Sequence, residues 1–290
     1  AYYLNKALEW GKEVEIMYKR HHIPPNVGLL DYELGRNADL THFKWISDST
    51  VDDIGAWSYV KEAGFKSAKR LVNNFVDRVA KNGYLLLNFG PKANGKIPQG
   101  ARDALLSIGK WLETNHEAIF GTNPWQIAGE GPTRIKKSGG FNEGKDVTYT
   151  SLDIRFTVKD DSIYATVLGR PREKVHVRSL IYNKRNLEGI SPLRYLKSLK
   201  KTRKFLKGQK VSASISDFLK YNAYISQNAW SRRFYSIEDQ QILNITLLGY
   251  DNDLSWELTD KGLFIDFPSD ANHQPAYVFE IKTDLTRLRD

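Results

Sequence analysis

A short apolar run that ends abruptly in turn residues constrains the fold of this chain more than any other feature. Residues Tyr84–Leu87 are hydrophobic, and their number suits one buried strand. Turn-forming residues follow at once: Asn88, Gly90, Pro91, Asn94 and Gly95. A helical pattern then begins near Gln99. Because a strand, a polar loop and a helix form the unit of an α/β barrel, whose loops after the strands carry the chemistry, this run points to a functional site.

The first part of the chain repeats this alternation of strand and helix. Short apolar segments at Val14–Tyr18 and Val27–Tyr32 predict two more strands. Apolar residues at helical spacing predict helices over Lys66–Lys81 and Gly100–His116. This order indicates parallel βα units. Since a complete barrel needs about 250 residues, the pattern fits either a small α/β domain or part of a barrel.

The pattern changes to alternating polar and apolar residues after Trp125. Two such segments, Asp153–Val158 and Ile163–Leu168, flank a polar turn and predict a β-hairpin. Further short strands are predicted near the end of the chain, at Ile242–Leu248, Gly262–Phe267 and Ala276–Ile281. We therefore predict an α/β domain over residues 1–125 and an antiparallel β-sandwich domain over residues 126–290.

The basic character of the chain belongs to one block. The net charge is +9, but residues 181–235 hold thirteen Lys and Arg against two acidic residues, a local charge of +11. The rest of the chain therefore carries −2. We interpret the block as an insertion in the second domain. Three explanations of this block remain open. It is a solvated basic helix, a site for an anionic partner such as a sulfated glycan, nucleic acid or membrane, or translated non-coding sequence.

Composition excludes several classes of protein. The chain has no Cys, so disulfides and thiolate chemistry are excluded. No apolar run approaches the roughly 18 residues of a membrane-spanning helix. The sequence begins at Ala1 rather than Met, so we expect the natural amino terminus to lie upstream. The seven Trp and fifteen Tyr suit a protein that handles sugars, since aromatic faces bind pyranose rings, although any one of them is also a candidate core residue.

Carboxylates and aromatic residues cluster after the second and third predicted strands. The loop Asp31–Arg36 contains Glu33, a candidate general acid if it lies at a strand end, or else a salt-bridged surface residue. Downstream, aromatic residues and carboxylates alternate within fifteen positions: Trp45, Asp48, Asp52, Asp53, Trp57 and Tyr59. Sugar hydrolysis needs such a platform together with a carboxyl pair. The adjacent His21 and His22 do not make a metal site by themselves, and we predict none.

Several motifs occur here in the order and spacing of one enzyme family. They are Trp45 followed by Ile54-Gly-Ala-Trp-Ser-Tyr59, then Leu71 to Pro91, Ile97-Pro98, Ile108-Gly-Lys-Trp-Leu112 and Glu117 to Trp125. Together they resemble the α-L-fucosidases of glycoside hydrolase family 29. The resemblance covers residues 1–180 and 236–282. The segment Asp31–Arg36 is similar to a motif in one branch of the family.

The resemblance implies a (β/α)8-like, TIM-type barrel followed by a β-sandwich, and a retaining exo-glycosidase that removes terminal α-L-fucose without a cofactor. It implies an Asp nucleophile upstream of Tyr2, so we expect this chain to be an inactive fragment. Glu33 is the implied acid/base, and Trp57, Lys19, Arg20 and Trp45 are the implied substrate-binding residues. A fucosylated glycan is the implied partner, and a secreted, periplasmic or lysosomal location is expected. The sequence leaves the oligomeric state open.

Two other functions remain open at this point. A non-catalytic glycan-binding protein would keep Trp57 and the second domain but would need no carboxylate pair. A polyanion-binding module would depend on residues 181–235.

Overall fold

The computed structural model describes residues 2–19, 28–41, 43–135, 138–143, 147–180 and 242–284. The basic block at 181–235 and the predicted binding residue Arg20 lie outside the described residues. Within the described part, no helix combines the length and the hydropathy that crossing a bilayer requires.

The first part of the chain forms a four-stranded parallel sheet. Its four strands lie side by side in sequence order: β1 Met17–Tyr18, β2 Leu29–Asp31, β3 Trp45–Thr50 and β4 Gly83–Asn88. Each neighbouring pair is parallel. The mixed α/β character predicted for this part is confirmed, and the partial barrel stays a prediction.

Three helices accompany this sheet: α1 Tyr2–Trp10, α2 Ala68–Ala80 and α3 Gln99–Asn115, which a short 3-10 helix, His116–Ala118, extends. The helix α2 begins where Ser67 accepts a hydrogen bond from the backbone N–H of Arg70 at 3.2 Å. Its apolar residues Leu71, Val72 and Val76 are buried, as their helical spacing predicts.

Two antiparallel sheets form the second part of the chain. The five-stranded sheet has the order β5-β6-β7-β12-β9, with β5 Asn123–Glu130, β6 Ile154–Lys159, β7 Ser162–Val167, β9 Ile242–Leu247 and β12 Tyr277–Thr283. The three-stranded sheet has the order β10-β11-β8, with β8 Lys174–Val177, β10 Trp256–Thr259 and β11 Gly262–Asp266. The predicted hairpin is β6 paired with β7.

One hydrophobic cluster joins the two antiparallel sheets. Phe156 and Ile245 of the larger sheet and Val177 and Ile265 of the smaller sheet belong to the same buried group. Alternation along each strand turns one set of side chains toward this cluster, which is why the polar–apolar pattern identifies these strands from sequence.

The sequence did not predict strand β3, which spans Trp45–Thr50 in the structure. Its inner residues Ser47 and Ser49 are polar, so the segment has no apolar alternation to detect. Both hydroxyls are buried and bonded: Ser47 Oγ donates to the Gly35 carbonyl at 2.7 Å, and Ser49 Oγ donates to Glu143. Hydrogen bonds from distant segments thus replace the apolar contacts of an ordinary buried strand.

A buried ion cluster links α2 to the larger antiparallel sheet. Asp77 Oδ1 accepts from Arg155 Nε at 2.6 Å, and Asp77 Oδ2 accepts from Lys81 Nζ at 2.7 Å. Burial alone would raise the pKa of Asp77, but Arg155 and Lys81 outweigh burial and hold the pKa at about 2. The Asp77 carboxylate is therefore ionised and paired.

Replacing Asp77 tests how far this cluster stabilises the chain. Asp77→Asn leaves Arg155 and Lys81 buried without their counter-charge, so we expect the free energy of unfolding to fall by about 3–5 kcal/mol in urea titrations. The matched control is Asp266→Asn, which removes the exposed pair with Lys174 and should cost about 0–1 kcal/mol. An equal loss of unfolding free energy in the two variants would contradict the stabilising role given to the buried Asp77 cluster.

Candidate active site

Charged side chains meet where the strands of the parallel sheet end. Lys19 directly follows β1, Asp31 ends β2, and Glu33 lies two residues farther on. Asp48 lies in β3 beside them, because the Leu34 backbone N–H donates to the Asp48 carbonyl at 2.9 Å. Carboxyl ends of parallel strands share one edge of a sheet, so residues distant in sequence are brought together there.

Lys19 bridges two of these carboxylates. Its Nζ lies 2.5 Å from Glu33 Oε2 and 3.5 Å from Asp31 Oδ2. The hydrogen bond from Lys19 lowers the pKa of Glu33, and the same bond raises the pKa of Lys19. Glu33 is therefore ionised in this arrangement, which suits a general base.

Asp48 holds a proton more readily than an ordinary carboxyl group. Burial first, and then the negative charge of Asp31, raise the pKa of Asp48 from 3.8 to about 6. Lys19 acts in the opposite direction but does not cancel these effects. Asp31 and Asp48 thus form a close carboxyl pair next to Glu33, and the positive charge of Lys19 acts on both carboxyl groups.

Trp57 extends the site outward from Glu33. Its Nε1–H donates to Glu33 Oε1 at 3.1 Å, and the Trp57 side chain remains exposed. The loop after β4 supports this residue, because Asn88 Nδ2 donates to the Trp57 carbonyl at 3.2 Å. At Gly90 a Cβ atom would lie 2.2 Å from the Tyr59 backbone nitrogen, so a glycine is needed for this contact. The turn residues that follow the apolar run of β4 therefore shape the rim of the site.

Trp45 lies away from these groups. Along β3, side chains alternate between the two faces, so Asp48 points to one face and Trp45 to the other. Trp45 is fully buried, and its Nε1–H donates to the Lys81 carbonyl at 3.0 Å. This position gives Trp45 a packing role, and it does not favour the predicted contact with substrate.

The predicted site residues therefore divide by position. Glu33 is in direct contact with both Lys19 and Trp57, Trp45 is apart from them, and Arg20 lies outside the described residues. Sequence reasoning missed the pairing of Asp31 with Asp48. No local pattern announces this pairing, because Asp31 and Asp48 lie on neighbouring strands and are 17 positions apart in the sequence.

The amino-acid sequence of this chain is similar to those of known α-L-fucosidases. Residues 5–117 match the family model for alpha-L-fucosidase. The rat tissue alpha-L-fucosidase is 29% identical over 143 residues, which are 48% of this chain and 27% of that protein. The human plasma alpha-L-fucosidase is 32% identical over 131 residues, which are 44% of this chain and 24% of that protein. The sequence matches thus span about a quarter of the length of these relatives.

Solved structures extend the likeness of fold to nearly the whole chain. The crystal structure of Thermotoga maritima alpha-fucosidase in complex with fucose has a TM-score of 0.58 and 23% sequence identity. The likeness covers 97% of this chain and 47% of that one. At this identity the likeness shows a shared fold, including the second part of the chain that the family model does not reach.

The pKa of Asp48 predicts a pH-dependent stability. Because its folded-state pKa of about 6 exceeds the ordinary 3.8, Asp48 stabilises the fold below about pH 4 and this stabilisation is lost as the pH rises through 6. Asp48→Asn keeps the shape and does not titrate. We expect urea unfolding at several pH values to show the variant gaining stability relative to the wild type between pH 4 and 6.

The exposed Asp251 supplies the matched control. Asp251→Asn removes one exposed negative charge, and a change equal to that of Asp48→Asn would show that the effect comes from net charge and not from the buried position of Asp48. A difference between Asp48→Asn and the wild type that does not change with pH would contradict the raised pKa of Asp48.

Proposed function

We propose that this chain, which is similar to the α-L-fucosidases of glycoside hydrolase family 29, forms part of a retaining exo-glycosidase that removes terminal α-L-fucose from glycans. The observation that carries the proposal is the contact of Glu33 with both Lys19 and the exposed Trp57 at the carboxyl ends of parallel strands. A carboxyl group beside an aromatic platform is the arrangement that glycoside hydrolysis requires.

The architecture proposed for the enzyme is a barrel followed by a sandwich. Residues 1–125 would supply the carboxyl-terminal part of a (β/α)8-like barrel, supported by four parallel strands in sequence order. Residues 126–290 would form a β-sandwich, supported by two antiparallel sheets with a common core. A secreted, periplasmic or lysosomal location and a fucosylated glycan as substrate are proposed from the relatives.

The proposed reaction is a double displacement. In the first step a carboxylate nucleophile, proposed to lie in the part of the relatives that this chain does not span, bonds to C1 as the glycosidic bond breaks. Glu33 gives its proton to the leaving oxygen. In the second step Glu33 takes a proton from water, whose oxygen attacks C1 and releases the nucleophile.

The ion pair with Lys19 affects the two steps differently. It favours the ionised Glu33 that the second step needs, and it disfavours the protonated Glu33 that the first step needs. Lys19 is therefore proposed to set the pH range of the enzyme. The same ion pair is the observation that favours a non-catalytic glycan-binding protein, in which Glu33 would remain a permanent anion.

Replacing Glu33 separates these two functions. In the enzyme made from the whole reading frame, Glu33→Gln should lower kcat on natural glycans by about 10²–10⁴-fold, because protonation of the leaving group is lost. The first step should lose less with a dinitrophenyl fucoside, whose leaving group needs no proton. The control Glu62→Gln changes an exposed carboxylate and should keep wild-type rates. Unchanged glycan hydrolysis in Glu33→Gln would remove Glu33 from the reaction.

Replacing Lys19 tests its effect on pH dependence. Lys19→Gln removes the hydrogen bond and the charge that lower the pKa of Glu33, so this pKa should rise. Since the first step needs protonated Glu33, the alkaline limb of kcat/KM against pH should move to higher pH. The control Lys92→Gln alters a lysine that lies over the Tyr59 ring instead, and its profile should match that of the wild type. An unmoved limb in Lys19→Gln would contradict the role given to Lys19.

A further inference from the structure

A segment from the second part of the chain crosses behind the loop that carries Glu33. The Phe141 backbone N–H donates to the Glu33 carbonyl at 2.7 Å, and the Glu143 N–H donates to the Leu34 carbonyl at 2.8 Å. Arg36 and Gly139 exchange two further backbone bonds, at 3.2 and 3.1 Å. Residues 138–143 therefore hold the backbone of Glu33 directly, although they lie more than 100 positions away from it.

The contact is close enough to restrict both segments. A Cβ atom on Gly35 would lie 2.3 Å from the Gly139 carbonyl oxygen, so only glycine permits this approach. Next to it, Leu34 has a φ of 44°, a left-handed conformation that is unfavourable for a leucine. Such a conformation persists where surrounding bonds enforce it, and here Glu143 and Asp48 bond to the two sides of the Leu34 backbone.

The side chain of Glu143 fastens this segment to β3 and α2. Its carboxylate accepts from Ser49 Oγ at 2.5 Å and pairs with Lys66 Nζ at 3.1 Å and Arg78 Nη2 at 3.2 Å. The side chains of Glu143 and Lys66 are 4% exposed, and that of Arg78 is 2% exposed. Burial alone would raise the pKa of Glu143, but Arg78 and Lys66 outweigh burial and lower it, so Glu143 is an anion.

Arg78 connects this anion to the loop a second time. Its Nη2 also donates to the Gly35 carbonyl at 3.1 Å, next to the bond from Ser47. The loop and the segment behind it therefore share one buried set of charges. Loss of the Glu143 charge would loosen both at once.

We propose that Glu143 is a positioning residue, which through residues 138–143 fixes the loop Asp31–Arg36 so that Glu33 stays in contact with Lys19 and Trp57. The inference rests on the proposed function only where Glu33 is called the acid/base. The positioning itself is independent of turnover.

The test follows the titration of Glu33 in the 290-residue chain by 13C NMR of its side-chain carboxyl carbon. In the wild type the midpoint should lie below that of an ordinary Glu, because Lys19 holds Glu33 ionised. Glu143→Gln keeps the shape but removes the charge, so Glu33 should leave Lys19 and its midpoint should rise toward that of an ordinary Glu. Within the described residues the charged neighbours are Lys19, which contacts Glu33, and Asp31 and Asp48, which act on Lys19.

The control variant is Asp153→Asn. Asp153 is an equally buried carboxylate that accepts from the backbone N–H groups of Thr133 and Thr150, both at 2.8 Å. Its replacement should lower stability and leave the Glu33 midpoint unmoved. A Glu33 midpoint that also stays in place in folded Glu143→Gln would overturn the proposal.

If Glu143→Gln does not fold, a less disruptive variant tests the positioning role of Glu143. Ser49→Ala removes one hydrogen bond from the Glu143 carboxylate and keeps both ion pairs. It should move the Glu33 midpoint in the same direction by a smaller amount, and no movement would overturn the proposal. Because titration needs no turnover, an inactive enzyme with the expected shifts would refute the proposed function and leave the positioning role intact.

Discussion

Buried charges on helix α2 fasten the parallel sheet to the rest of the chain. Asp77 pairs with Arg155 of β6, and Arg78, the next residue, pairs with Glu143. Since consecutive helical residues point in different directions, α2 reaches two separate segments of the second part. Each pair is buried, so each charge depends on its partner to offset the loss of hydration. The position of the loop that carries Glu33 depends on these pairs.

In the candidate site, which is more exposed, the ionisation of the carboxyl groups also depends on a partner of opposite charge. One lysine, Lys19, faces three carboxyl groups, and its positive charge does not stabilise the ionised form of all three equally. Glu33 takes the short hydrogen bond and gives up its proton readily, whereas Asp48 is buried beside Asp31 and keeps its proton to a higher pH. The environment thus gives neighbouring carboxyl groups different chemical roles, which is the general basis of acid–base catalysis in enzymes.

Several parts of the fold follow from local patterns, and others do not. The helix α2 was predictable because its apolar residues repeat with the helical period, and the strand β4 because a short apolar run ends in turn residues, although Tyr84 and Leu86 of that run are exposed. Strand β3 was not, since Ser47 and Ser49 are satisfied by groups from other segments. The resemblance implied a substrate contact for Trp45, yet strand alternation turns its side chain to the face opposite that of Asp48.

Local sequence patterns were enough to indicate the resemblance to α-L-fucosidases, the α/β and antiparallel parts, and the loop in which Glu33 lies, because each depends on residues close together in the chain. Which charges meet depends on the three-dimensional fold. Lys19 at the end of β1 reaches Glu33 after the neighbouring strand β2, and Glu143 reaches Arg78 from a segment 65 positions later. Such pairs carry no periodic signal, since the strength of a buried ion pair depends on distance and burial and not on separation along the chain.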